Sequence, residues 1–106
     1  MTDKRLILST AGSEDEAHKI AHFLVERKLA ACVNIVPHIE SIYRWQGQVE
    51  SAHEWLLIIK TTERKFSRVR EAIKELHSYD LPECIALPID DGSPEYLRWL
   101  AESVDE

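Results

Sequence analysis

Glycine is scarce, with three in 106 residues, so a phosphate-cradling loop of successive backbone N–H groups is poorly supplied. The two cysteines, Cys32 and Cys84, lie far apart and form no CxxC pair. That spacing excludes a zinc ribbon or thioredoxin-type motif and leaves buried free thiols of a reducing compartment. Basic residues are outnumbered, 13 Lys and Arg against 19 Asp and Glu, for a net charge of −6. A general nucleic-acid binder needs a basic face, so that class is disfavoured. No apolar run approaches the ~20 residues of a membrane span. The opening MTDKRLILSTAGSEDE turns acidic too soon for a signal peptide, and the expectation is a cytoplasmic protein. No GxSxG elbow, HExxH helix or local Cys-His pair is present, and the chain reads as a non-enzyme.

The remaining composition, 44% hydrophobic and 30% charged, suits one domain spanning residues 1–106. RLILSTA (5–11) reads as a short buried strand. Ser13 with Glu16 makes a capping-box pattern, and Ala17, Ile20, Ala21 and Leu24 follow at helical spacing, with Arg27 and Lys28 at the C-terminal end of the dipole. LAACVNIVPHIESIYRW (29–45) alternates apolar and polar residues over a length unusual for one strand. Gln46-Gly47 turns it into a second strand over 49–61. Thr62 is placed to cap a second helix with the stripe Phe66, Val69, Ile73 and Leu76, ending near Leu81-Pro82. Residues 83–89 read as a strand. Ser93-Pro94-Glu95 starts a last helix with the stripe Leu97, Leu100, Ala101 and Val104. The order β-α-β-β-α-β plus a terminal helix is the α+β, ferredoxin-like split βαβ, with a long hairpin between its second and third strands.

Right-handed crossovers put both main helices on one sheet face, so the other face should be polar in a monomer. It is not. In EWLLIIKT, Trp55, Leu57 and Ile59 oppose Leu56 and Ile58, and in the first strand Leu6 and Leu8 oppose Ile7. Strands apolar on both faces are buried on both, and a terminal helix of ~15 Å is too short to cover such a sheet. Burial against other protomers is expected. Pro37 and Pro88 each mark an edge or a bulge. A bulge at Pro37 would let the second half of the ribbon, from Ile39 to Trp45, leave its own sheet as an arm that joins protomers.

Several side chains are candidates for chemistry. His77, at a helix end beside Tyr79 and Asp80, is the best metal-ligand candidate, against a plain hydrogen bond to the turn. His18 and His22, spaced i, i+4, are placed to chelate or simply to form a solvated helix face. His38 and His53 read as surface groups. Lys60 ends an apolar run, where a charge needs a partner or water. It is expected to pair with a carboxylate such as Asp80 or to face an anion in an inter-subunit cleft with Tyr43, Trp45 and Tyr79.

The stretches LVERKLAACVNIVPHIESIYRWQGQVE, LLIIKTT, HSYDLPECIALPI and DGSPEYLRWL resemble the CutA family of divalent-cation tolerance proteins, in order and over nearly the whole chain. The resemblance implies a ferredoxin-like fold in an intertwined homotrimer. Where the family commonly has His-Pro-Tyr-Glu, this chain has His77-Ser78-Tyr79-Asp80. The resemblance also implies a copper site, from a cysteine on the first strand and adjacent histidines after the second helix. Those positions here are Ser9, Leu76 and His77, and only His77 is a good copper ligand, so weak binding is the expectation. The function expected is that of a trimeric cytoplasmic protein of divalent-metal tolerance, binding a metal such as copper or a small anion weakly at its subunit clefts. The alternative is a trimeric small-metabolite sensor of the nitrogen-regulatory PII type. An RNA-recognition module of the same topology ranks last, because the strands offer aliphatic rather than aromatic residues.

Overall fold

The computed structural model describes residues 2–104. Strand β1 (Lys4–Ala11) is followed by helix α1 (Glu14–Glu26), strands β2 (Cys32–Trp45) and β3 (Gln48–Thr62), helix α2 (Phe66–Leu76), strand β4 (Ile85–Pro88) and helix α3 (Pro94–Ser103). The sheet order is β2-β3-β1-β4, antiparallel throughout. This is the expected α+β split βαβ arrangement.

Local chemistry accounts for the element boundaries. Ser13 is the N-cap of α1, and its Oγ accepts from Glu16 N–H at 3.1 Å. The expected stripe Ala17, Ile20, Ala21 and Leu24 is buried. Ala17, Ile20 and Leu24 of that stripe pack with Ile7 of β1, Leu57 and Ile59 of β3, and Val69 and Ile73 of α2 in one core between helices and sheet. Gln46 and Gly47 have φ of 51° and 82°, the left-handed pair that matches a two-residue hairpin turn to strand twist. The bulge expected at Pro37 is present: pairing shifts between Val36 and Ile39, and His38 takes φ 59°.

Several boundaries differ from the expectation. The second half of the ribbon does not part from its own hairpin. It stays paired with β3 as far as Trp45 opposite Gln48. Since β1 reaches only Trp55 on β3, residues 39–45 and 48–54 leave the four-stranded sheet together as a two-stranded arm. The molecule is accordingly 44 Å long and only 22–25 Å across. Thr62 does not cap α2 through its side chain. A 3₁₀ turn, Glu63–Lys65, intervenes, and the buried Thr62 Oγ1 has no hydrogen-bond partner among the described residues. Helix α2 stops at Leu76 rather than near Leu81, because His77 is held in extended geometry (ψ 146°) by bonds from its ring. Strand β4 is four residues long and exposed throughout.

The second sheet face carries Leu6, Leu8, Leu56 and Ile58, all half-buried, with Ile85 and Leu87 exposed beside them. Leu100 of α3 and Val104, which caps it, bury against Ala31, whereas Ala101, Tyr96 and Trp99 of the helix are exposed. Helix α3 therefore leaves much apolar surface uncovered, on the sheet and on the arm.

Candidate functional site

A cavity of about 680 Å³ opens where the arm leaves the sheet. Tyr43 and Trp45 of the arm face Tyr79 and Asp80, which follow α2. The turn that places Tyr79 is pinned by His77, whose side chain is fully buried. His77 Nε2 donates to the Thr10 carbonyl at 2.5 Å, and Nδ1 accepts from Tyr79 N–H at 3.1 Å. Both ring nitrogens are thus engaged within the protein, and Nδ1 also lies 3.4 Å from Glu16 Oε2. Glu16 closes the turn from α1: its carboxylate accepts from Ser78 N–H at 2.9 Å and from Ser78 Oγ at 3.2 Å. The glutamate of the capping-box pattern is thus committed to the neighbouring turn.

Tyr79 then reaches over Gly12 and donates its hydroxyl to Glu54 Oε2 at 2.8 Å. Glu54, 6% exposed, is a buried carboxylate on the arm side of β3. Burial first, and then the bond to Glu54 and the negative charge beyond it, push the Tyr79 phenol well above the usual tyrosine range. Glu50, Glu54, Asp80 and Glu83 all line the cavity, so its walls are aromatic and its charge is negative.

Of the five residues expected to share a cleft, the fold brings together Tyr43, Trp45, Tyr79 and Asp80 but not Lys60. Lys60 Nζ donates to Asn34 Oδ1 at 2.6 Å and lies 4.0 Å from Cys32 Sγ. Six residues of strand, roughly 20 Å, separate it from Glu54. Within one chain, the expected Lys60–Asp80 pair is therefore not formed, and the charged residues lining the cleft are carboxylates. Sequence reasoning passed over Glu54, although a carboxylate directly before the apolar run WLLII has the same burial problem as the lysine that follows it. It also passed over Gly12, whose close approach to Tyr79 no local signal reveals.

The positions of the copper site implied by resemblance do not fit a metal. Ser9 Oγ donates to the Glu83 carbonyl at 2.7 Å, Leu76 has no donor atom, and both His77 nitrogens are engaged within the protein. Among the described residues, no three His, Cys, Asp or Glu side chains converge on a metal-sized site. His38 and His53 are exposed, His38 with its ring centroid 5.7 Å from that of Trp55. His18 and His22 stand exposed on α1. Both cysteines are free and half-buried rather than fully buried, and desolvation pushes the Cys84 thiol up.

The family model described as CutA1 divalent ion tolerance protein matches residues 5–103. The chain is 52% identical over 100 residues to a divalent-cation tolerance protein CutA from Thermus thermophilus, covering 94% of this chain and 97% of that one. It is 48% identical to a chloroplastic CutA protein of Arabidopsis thaliana over 92% of this chain, and spans 54% of that relative's length. Its backbone superimposes with a TM-score of 0.93 on an Archaeoglobus fulgidus structure described as a periplasmic divalent cation tolerance protein. That pair is 46% identical, over 96% of this chain and 99% of the other. Among the described residues, no helix is long and apolar enough to cross a membrane.

Proposed function

Because the chain belongs to the CutA1 divalent ion tolerance protein family, we propose that it serves divalent-cation tolerance as a cytoplasmic, non-enzymatic homotrimer whose arm, and the cavity at the arm's base (the basal cleft), are completed by neighbouring protomers. The observation that carries this reading is the arm. Among the described residues, its two strands have no third strand beside them, and Ile42, Tyr43, Trp45 and Val49 are exposed upon it at 72%, 41%, 39% and 66%. A two-stranded ribbon is marginal in water on its own, and an apolar patch of this kind marks a protein–protein contact. The open sheet face adds Ile85 and Leu87 to the surface that an assembly would cover.

Copper is not routed through Ser9, Leu76 and His77, whose atoms are otherwise engaged. The charged residues that this chain itself gives the cleft are carboxylates, which favours a cation over a small anion unless a neighbouring protomer supplies a basic side chain.

The test is physiological. Removing this protein from its host should lower growth in excess copper or zinc, and the parent chain should restore it. A Trp45→Ala chain, impaired in assembly, should restore it poorly. Equal growth with and without the protein across divalent cations would refute the role.

A further inference from the structure

Helix α1 carries two imidazoles that play no part in the core or the basal cleft. His18 and His22 are one turn apart, so their side chains share a face and point the same way. Both are exposed, the His22 side chain at 72%, and their ring centroids are 6.4 Å apart with 36° between planes. Glu26, a further turn along, places Oε2 4.0 Å from His22 Nδ1, beyond hydrogen-bond length but close enough to add negative charge. Beside the pair, over edge strand β2, lies a shallow depression of about 250 Å³ lined by Ala21, Val25, Val33 and Ile35.

We propose that His18 and His22 form a two-nitrogen site for a divalent transition-metal ion on the exposed face of α1. Imidazole donors select copper, nickel and zinc over magnesium and calcium, which take oxygen, and the general affinity order places copper(II) first. With metal–nitrogen bonds of ~2.0 Å, two rings meeting at one ion have centroids ~5 Å apart. The rings must therefore approach by roughly 1.5 Å, which rotation about exposed side-chain bonds provides. The helix backbone need not move, because the buried residues Ala17, Ile20 and Leu24 hold it against the core. Glu26 supplies a negative field of the sign a cation needs. The remaining coordination positions face water or the adjoining depression, so the ion is exchangeable rather than structural. This site lies apart from Ser9, Leu76 and His77 and from the arm, and it stands whether or not the chain trimerises.

The test is a copper(II) and nickel(II) titration of the tag-free chain by equilibrium dialysis, with His18→Ala, His22→Ala and the double variant alongside. The positions are exposed, and circular dichroism verifies the helix. Chelation makes the second nitrogen–metal bond intramolecular, so either single variant should weaken binding by about 100-fold. The double variant should be little worse than the singles, since one remaining imidazole cannot chelate. Electron paramagnetic resonance of the copper complex should report two nitrogen donors in the parent and lose that signature in each variant. His38→Ala and His53→Ala, at exposed positions away from α1, should leave the affinity unchanged. Copper affinity that survives the double substitution, or that falls with His38 or His53 instead, would overturn the site.

Discussion

Replacing Gly12 by alanine tests how the basal cleft is held. A Cβ at this position would lie 2.8 Å from Tyr79 Oη and 3.3 Å from its Cε1. The Gly12 backbone is not in the left-handed region, which among the glycines is occupied by Gly47. Alanine there would by itself stabilise the fold by about 0.4–1 kcal/mol through the unfolded chain. The contact opposes this gain. Tyr79 must move, and its bond to the buried Glu54 carboxylate must lengthen or break. A hydrogen bond to a charged group is worth about 1.5–3 kcal/mol, so Gly12→Ala should cost about 1–2 kcal/mol overall. Tyr79→Phe removes the atom that clashes, so Gly12→Ala should cost much less in that background. Urea unfolding of the parent, both single variants and the double variant, at one protein concentration, gives the coupling directly. Strictly additive costs would refute the hydroxyl contact as the reason for glycine here.

The raised Tyr79 phenol carries a pH signature. The folded chain keeps this proton where the unfolded chain has lost it, so stability should fall as pH rises above the ordinary tyrosine value, about 10. Melting curves from pH 8 to 11 should show that loss in the parent and less of it in Tyr79→Phe. His77→Ala should destabilise the fold by about 2–4 kcal/mol in chemical denaturation, since it strips partners from the Thr10 carbonyl and the Tyr79 N–H. Trp45→Ala should cost about 3–5 kcal/mol per site if neighbouring protomers bury that ring. Its melting point should then fall and become concentration-dependent.

Much of the fold was legible because its signals are local. Ser13 with Glu16 marked the start of α1, the four-residue apolar stripe marked its buried face, and Gln46-Gly47 and Pro37 marked the turn and the bulge. Elements fixed by tertiary contacts were not legible. Helix α2 ends where His77 finds the Thr10 carbonyl, 67 residues away in sequence, which no capping rule anticipates. The position of Lys60 at the end of an apolar run signals that its charge needs a partner but not which one, and the register that sets it opposite Cys32 gives it Asn34. Tyr43, Trp45, Tyr79 and Asp80 did meet, since the hairpin tip and the turn after α2 lie at the same end of the sheet. The negative sign of their cleft depends on Glu50, Glu54 and Glu83, which come from two further positions on β3 and from the segment before β4.

The central claim is that this chain is incomplete alone, its arm and second sheet face being surfaces made for other copies of itself. Light scattering on the purified, tag-free chain at low micromolar concentration tests that most directly. The expected result is one monodisperse species at three times the 12.3 kDa of the chain. A folded, monodisperse species at 12.3 kDa would contradict it.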